Sequence, residues 1–317
     1  MPTAFVTGGS GFIGGALIER LRREGWDVRA LARSESSAER VRSLGAEPVM
    51  GDLDDVRIEG CEVAFHSAAK VEDWGDPADF QRVNVDGTRN VIEACRAGGV
   101  RRLVHVGTEA ALMAGQPLVN VDETAPLRPD SPAPYPWSKA KAEQLVRDAN
   151  GDDLETVVVR PRFVWGRGDT TLLPAVIEMV ENGRFLWIGG GRQLTATTHV
   201  DNTVEGLWLA ATKAPPGGVY FVTDGEPVVF RDFITEWVGT QGVTIPDRSV
   251  PPTVAVAAAA SVERLWRGLK RDSQPPLTRF TVWVSSQECT IDISRAEREL
   301  GYSPVKSREE GFAELRS

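Results

Sequence analysis

The stretch Pro134-Tyr135-Pro136-Trp137-Ser138-Lys139 sets a phenol and an ammonium four residues apart. If a helix begins near Pro136, where the missing proline N–H costs nothing, Tyr135 and Lys139 share one face. An adjacent ammonium favours the ionised phenol and draws its pKa down from ~10 toward working pH. Such a tyrosine can pass a proton to or from a carbonyl or alcohol oxygen. The same oxygen gains from a second donor, and Thr108 stands at the end of the strand-like run Arg102 to Val106, after Gly107. Glu109 follows it, either as a polar contact for substrate or as an acid at a helix start.

A proton donor of this kind works beside a redox cofactor, and the opening residues have the spacing to hold one. Thr3 to Thr7 read as a short strand, and Gly8-Gly9-Ser10-Gly11-Phe12-Ile13-Gly14 as a glycine turn. Ala16, Leu17, Ile18 and Leu21 then follow at helical spacing. Gly8 permits the tight turn, Gly11 lets backbone approach a pyrophosphate, and Gly14 lets helix and strand pack closely. The free amides of the helix N-terminus, where Phe12 and Ile13 lie, can hold phosphate. The second strand ends in Leu31-Ala32-Arg33-Ser34, with no carboxylate until Glu35. An NAD site wants Asp or Glu there. Arg33 suits a 2′-phosphate through its planar fork and Ser34 adds a hydroxyl, so NADP(H) is preferred, with NAD(H) possible. Asp52 fits a contact to the adenine edge, and Ala68-Ala69 a small-residue floor beside the cofactor.

These residues need a scaffold. Strands over 27–31, 47–50, 62–65 and 102–106 alternate with helical spacing, including a long stretch from about 80 to 97. That predicts an α/β fold, a Rossmann-type doubly wound parallel sheet with ligand at the carboxyl ends of its strands. The 317 residues carry 36 basic and 45 acidic side chains, a net charge of −9, which excludes broad nucleic-acid or anionic-membrane affinity. No apolar run reaches the ~20 residues of a membrane span, so no stable membrane insertion is expected. Three widely spaced cysteines form no disulfide framework, and the start lacks a signal-peptide pattern, which points to the cytoplasm. Three histidines without ligand spacing predict no metal; for His199 and Asp201 no third ligand is evident.

Thr7 to Gly14, Asp52-Leu53, His66-Ser67-Ala68-Ala69, Asn84-Val85-Asp86-Gly87-Thr88, Tyr135 with Lys139, and Arg160-Pro161 together resemble the extended short-chain dehydrogenase/reductase family. Lys70 to Gly75 and Arg160 to Gly166 make the chain most similar to its 3β-hydroxysteroid dehydrogenase-like, NAD(P)-dependent epimerase branch. The resemblance covers roughly residues 1–210. It implies Tyr135 as general acid/base, Lys139 on the nicotinamide ribose, and Pro161 and Phe163 flanking the nicotinamide. Leu53 and Lys70 join the cofactor-binding residues, and a homodimer follows by analogy. Where the family has two serines at the strand end, this chain has Gly107-Thr108; the threonine hydroxyl can do the serine's work. His66 reads as a strand-end cap rather than a catalytic group.

The chain divides into a dinucleotide domain over 1–167, rejoined by 195–228, and a smaller C-terminal substrate-binding lid from 168–194 and 229–317. His199 to Asn202 open a helix with Asp201 or Asn202 near its N-cap. Among nine tryptophans, Trp74, Trp137, Trp165 and Trp187 fall in segments expected to border the cleft, with core as the plain alternative. Trp74, Trp165 and Glu109 are the candidate substrate contacts. Aromatic lining suits a hydrophobic small molecule, steroid-like or β-keto, although Arg162, Arg167 and Arg192 leave a sugar nucleotide open. The expected function is interconversion of a secondary alcohol and a ketone. The alternatives are a nucleotide-sugar epimerase or dehydratase, and a non-catalytic NADP(H) sensor. The segment 254–271 reads as core, as a substrate wall, or as a peripheral membrane contact flanked by Arg264, Arg267, Lys270 and Arg271.

Overall fold

The computed structural model describes residues 1–269, 271 and 273–316. Lys270, one of the flanking basic residues, lies outside them. Seven parallel strands form the central sheet: β1 (Thr3–Thr7), β2 (Asp27–Ala32), β3 (Glu47–Met50), β4 (Val63–His66), β5 (Arg102–Val106), β6 (Glu155–Pro161) and β7 (Val219–Val222). Their spatial order is β3-β2-β1-β4-β5-β6-β7, so the winding direction reverses between β1 and β4. That reversal opens a crevice at the carboxyl ends of the strands, the general ligand position of such sheets.

Side-chain alternation explains why helices cover both faces. Ala4 and Val6, Val63 and Phe65, Val104 and Val106, and Val157 and Val159 point into one core, against Leu17, Ile18 and Leu21 of the Phe12–Arg23 helix and Leu207 of the Val200–Thr212 helix. Phe5, Ala64, Leu103 and Val158 point to the opposite face, against Val91, Ile92 and Cys95 of the Gly87–Ala97 helix and Val146 of the Pro134–Asp148 helix. Period-two alternation in strands buried on both sides requires apolar residues at every position, which is what these strands carry.

The helical spacing expected between 80 and 97 is not one α-helix. Pro77–Phe80 is a short turn, Gln81–Asp86 is wound as a π-helix, and Gly87–Ala97 is α-helical. The wider π turn fills with hydrogen bonds from Asn84, described below. The Pro134–Asp148 helix begins two residues earlier than expected, because both Pro134 and Pro136 sit in the first turn, where no intrahelical N–H is needed.

Described residues within 168–194 and 229–316 lie outside the central sheet, and Phe280 among them meets Tyr135 at the crevice. Their core is aromatic: Trp165, Trp187, Phe230, Phe233, Trp237 and Phe312 pack with Leu173 and Ile234. A four-stranded sheet in the order Val228–Val229, Leu194–Thr195, Cys289–Ile291 and Leu118–Val121 stitches this part to the segment after β5. All three cysteines are buried and free. Among the described residues no helix is long and apolar enough to cross a membrane.

Candidate active site

The glycine turn has the shape its sequence demands. Gly8 sits at φ +70°, and a Cβ there would come 2.8 Å from the Ala68 nitrogen. A Cβ at Gly14 would lie 2.1 Å from the Gly8 carbonyl oxygen, so neither position tolerates a side chain. Gly11 N donates to Gly8 O at 3.0 Å, closing the turn. The Phe12 and Ile13 side chains stay half-exposed beside it.

Behind the turn, one buried network ties β1 to β4. Thr88 Oγ1 donates to Asn84 O (2.6 Å), so toward His66 Nε2 (2.9 Å) it accepts. The His66 proton is therefore on Nε2, and Nδ1 accepts from Thr7 Oγ1 at 2.8 Å, while Thr7 Oγ1 accepts from Ala68 N at 3.2 Å. Burial first, then the Lys139 charge, pulls the His66 pKa down to about 3, and it stays neutral. It anchors the Ala68-Ala69 floor and takes no proton.

Arg33 and Ser34 end β2 on the exposed rim. Ser34 also caps the Glu35–Ser43 helix, its hydroxyl accepting from Ser37 N at 3.2 Å. Asp52 is exposed, its Oδ1 accepting from Leu53 N at 2.7 Å. Lys70 is held through its backbone: its N–H donates to Asn84 Oδ1 (2.7 Å) and its carbonyl accepts from Asn84 Nδ2 (3.0 Å). Asn84 also donates to Ser138 Oγ at 2.9 Å, and Ser138 Oγ donates to Tyr135 O at 3.0 Å. The π turn thus reaches across the crevice to the first turn of the tyrosine helix. Asn84 and Ser138 were not among the sequence candidates, although both lie in motifs that were.

Tyr135 stands half-buried at this helix start, its ring 5.7 Å from Phe280 of the lid and its hydroxyl in hydrogen-bonding reach of Thr108. Burial, and secondly the Glu109 charge, push the phenol above its ordinary range. The expected lowering by Lys139 is not seen. The Lys139 ammonium, one turn on, donates to Val106 O at 2.8 Å and lies 3.4 Å from His105 Nε2. Burial pulls Lys139 down to about 8, against an opposing pull from Glu143.

Three corrections follow. Glu109, open to substrate contact or to a helix start, is 3% exposed, faces inward and stands in the first turn of the short Glu109–Leu112 helix that Thr108 caps. Its Oε2 accepts from Thr108 Oγ1 (2.8 Å) and its Oε1 from Arg162 Nη1 (2.7 Å), a pair sealed from water on both sides. A carboxylate only accepts, so the Thr108 proton points to Glu109, and its oxygen accepts from Ala110 N at 3.2 Å, leaving one lone pair free for the Tyr135 side. The threonine is an acceptor held in place, not the free second donor expected. Trp165, the other expected substrate contact, is fully buried: it packs on Phe233, Phe312 and His199, and its Nε1 donates to Asp224. Trp187 is likewise core, and Trp74 is buried too, with the Arg267 guanidinium over its ring.

Phe163 adopts φ +43°, rare for a bulky residue, with its ring edge-on to Phe230, Phe233 and Trp237. Its neighbour Pro161 is buried at the end of β6. The same strand carries Arg160, fully buried and paired with Glu143 of the tyrosine helix (Nε to Oε2, 2.9 Å). This pair welds the helix to the sheet below Lys139. Arg162 is spent on Glu109, while Arg167 and Arg192 are exposed.

The Val200–Thr212 helix is capped by His199, whose Nδ1 accepts from Asp201 N at 3.2 Å, not by Asp201 or Asn202. Asn202 instead holds the C-terminal segment, accepting from Val305 N and Lys306 N. A third partner does join His199 and Asp201: Glu314, with ligand atoms within 4.8 Å of one another. The Lys306 ammonium already occupies this cluster, against Glu314 and 3.5 Å from Asp201, where a cation would have to sit.

Comparison with known proteins accords with this geometry. Residues 5–251 match the model of the 3-beta hydroxysteroid dehydrogenase/isomerase family. The chain is 45% identical to the 4-hydroxy-2-methyl-3-oxo-4-farnesyl-3,4-dihydroquinoline-1-oxide ketoreductase of Stigmatella aurantiaca, over 98% of this chain and 95% of that protein. It is 37% identical to the 2-alkyl-3-oxoalkanoate reductase of Stenotrophomonas maltophilia (strain K279a), over 98% of each. In fold it is similar to the crystal structure of UDP-glucose 4-epimerase with UDP-glucose from Thermotoga maritima, with a TM-score of 0.75, 20% identity and coverage of 99% and 97%. The chain belongs to the 3-beta hydroxysteroid dehydrogenase/isomerase family.

Proposed function

We propose that the protein is an NAD(P)-dependent oxidoreductase that reduces a ketone on a hydrophobic β-keto or steroid-like substrate, or oxidises the matching secondary alcohol. The observation that carries this reading is the convergence of Tyr135, Lys139 and Thr108 at the carboxyl end of β5, beside a turn that admits no side chain at Gly8 or Gly14. The residues fit a dinucleotide. The Gly8–Gly14 turn and the amides at Phe12 and Ile13 suit its pyrophosphate, Asp52 and Leu53 its adenine side, and the Ala68–Lys70 strand end, Pro161 and Phe163 its nicotinamide side. When bound, a nicotinamide supplies the hydride acceptor or donor. The chain's residues do the rest. Tyr135 gives its proton to the carbonyl oxygen as it becomes an alcohol. Thr108, its own proton held by Glu109, offers an oxygen lone pair that accepts from Tyr135 before reaction and from the product hydroxyl after it. Lys139, one turn on from Tyr135 and held by Val106 O, is placed to hold the nicotinamide ribose.

Arg33 and Ser34 at the end of β2 favour NADP(H) over NAD(H), since neither offers a carboxylate to a ribose 2′-hydroxyl. The aromatic lid and Phe280 beside Tyr135 favour an apolar substrate. An epimerase reading is weaker: the buried Arg162 is taken by Glu109, and Arg167 and Arg192 are exposed. A pure sensor has no use for the Tyr135–Lys139 pair. Free, buried thiols suit the cytoplasm, and a homodimer is expected by family analogy. Steady oxidation of NADPH with a 2-alkyl-3-oxoalkanoate, absent in Tyr135→Phe, supports this function. Cofactor turnover on a nucleotide sugar without net oxidation would replace it with the epimerase.

A further inference from the structure

Reduction of a ketone needs Tyr135 as the neutral phenol, which gives up a proton; oxidation of an alcohol needs it as the phenolate, which takes one. The hydroxyl in hydrogen-bonding reach of the phenol, that of Thr108, helps decide which form the fold holds. A hydroxyl free to turn would donate to the phenolate and favour it. Thr108 is not free. Its Oγ1 donates to Glu109 Oε2 at 2.8 Å and accepts from Ala110 N at 3.2 Å, which leaves one lone pair for the phenol. Glu109 is fixed in turn by Arg162, whose Nη1 donates to Glu109 Oε1 at 2.7 Å and whose Nη2 reaches Thr195 Oγ1 at 3.4 Å. The Arg162 backbone N–H donates to Thr198 Oγ1 at 3.0 Å, so this anchor belongs to the buried end of β6. The Thr108 proton is thus aimed away from Tyr135, and a carboxylate stands behind it. Burial first, and then this Glu109 charge, raise the phenol above its ordinary range.

We propose that Glu109 is a positioning residue that sets the direction in which the site works: by holding the Thr108 proton away from the phenol, it keeps Tyr135 a proton donor at neutral and alkaline pH and makes the protein a ketone reductase there. This rests on the oxidoreductase reading and deepens it. Tyr135 loses its Oη proton to the carbonyl oxygen as the carbonyl carbon gains the hydride of a reduced nicotinamide. The products are an alcohol, the oxidised nicotinamide and a phenolate that water reprotonates. The equilibrium between ketone and alcohol belongs to the reactants. What the carboxylate sets is the pH range in which each direction finds Tyr135 in the form it needs. The other charged and titratable groups round the phenol are occupied or neutral. The Lys139 ammonium, on the helix of Tyr135 itself, is turned to Val106 O. His66 on β4 and His105 on β5 are held neutral, in each case by burial first and then by the Lys139 charge. Burial pushes the Cys289 thiol beside Arg162 up to about 12. Arg279, next to Phe280, is paired with Glu263.

Glu109→Gln keeps the shape and reverses the polarity. Arg162 Nη1 still needs an acceptor and takes the amide oxygen, so the amide nitrogen faces Thr108 and donates to it. With Ala110 N on the other lone pair, the Thr108 proton turns to Tyr135. Fluorine NMR of the full chain labelled with difluorotyrosine reads the ionisation of Tyr135 directly, since the chain has three tyrosines and Tyr135→Phe assigns the resonance. The Tyr135 midpoint is expected about one pH unit or more below that of wild type in Glu109→Gln. The basic limb of kcat for reduction of a 2-alkyl-3-oxoalkanoate should fall by the same shift. Oxidation of the matching alcohol at pH 7 should rise several-fold, with the KM for the ketone unchanged. A residue that merely held the fold together would lower every rate and move neither midpoint. Because breaking the ion pair costs stability, the measurements are repeated on Glu109→Gln with Arg162→Met, which removes both buried charges; its Tyr135 midpoint should also lie below that of wild type, the carboxylate being gone. A midpoint equal to or above that of wild type in the variants overturns the proposal, and so does a basic limb that stays in place. If wild type turns over neither ketone nor alcohol, the oxidoreductase reading falls, and the NMR midpoint alone decides whether Glu109 holds Tyr135 protonated.

Discussion

Replacing Lys139 by methionine should abolish turnover and at the same time remove a pH-dependent strain from the fold. The lysine is 5% exposed, and burial holds its pKa at about 8 against an ordinary 10.5. A base whose pKa falls on folding costs stability wherever the unfolded chain is protonated, so the cost is full below pH 8 and disappears as pH rises toward 10.5. At 1.36 kcal/mol per pH unit this amounts to about 3 kcal/mol at pH 7 and under about 1 kcal/mol at pH 10. Methionine carries no such cost, but it leaves Val106 O without its donor, a loss of about 1–3 kcal/mol that does not vary with pH. The assay is guanidinium denaturation of both proteins at pH 7 and pH 10. Every other titrating group is common to the two, so the difference between them isolates Lys139. Wild type should gain about 2–3 kcal/mol on the variant between those pH values. Parallel pH dependences would refute the reasoning and mean that Lys139 is solvated in the folded protein.

Three other outcomes are expected. Glu109→Gln leaves Arg162 buried without its counter-charge and should cost about 3–5 kcal/mol in denaturant unfolding, with Arg162→Met on top recovering most of it. Trp165→Ala should cost about 3–5 kcal/mol of stability while leaving the KM for substrate unchanged, because the indole is enclosed by Phe233, Phe312 and His199; a raised KM at intact stability would return Trp165 to the cleft. Arg33→Ala should weaken NADPH binding by about tenfold to a hundredfold in equilibrium titration and leave NADH unaffected; equal effects on both would remove the NADP preference.

What the sequence made legible was local. The Gly8–Gly14 turn follows from a strand, three glycines and a helix within fifteen residues, and its constraints are steric ones that any backbone would impose. Tyr135 and Lys139 share a face because four residues make about one helical turn. A parallel, doubly wound sheet with ligand at the carboxyl strand ends follows from alternating elements, whereas the strand order and the reversal between β1 and β4 come from the fold. Residues that act across distance were hidden. Glu143 and Arg160 lie 17 positions apart and Glu109 and Arg162 lie 53 apart, and no spacing rule joins them. Adjacency to Thr108 leaves the Glu109 carboxylate open to substrate or to a helix start; only the fold shows it turned inward in the first turn of a short helix. Trp165 was misplaced because tryptophans lining a cleft and tryptophans filling a lid core have the same sequence signature. Glu314 joined His199 through the C-terminal helix, beyond any local motif. The π turn that aims Asn84 at Lys70 and Ser138 is likewise invisible to a 3.6-residue period.

The central claim is that Tyr135 moves the proton while hydride passes to a ketone. Single-turnover reduction of a 2-alkyl-3-oxoalkanoate by NADPH, followed at the nicotinamide absorbance in wild type and Tyr135→Phe, tests it most directly. The account predicts that the phenylalanine protein binds NADPH with unchanged affinity and is slower by about 10² to 10⁴, the contribution of a positioned general acid. Equal rates in the two proteins would contradict it.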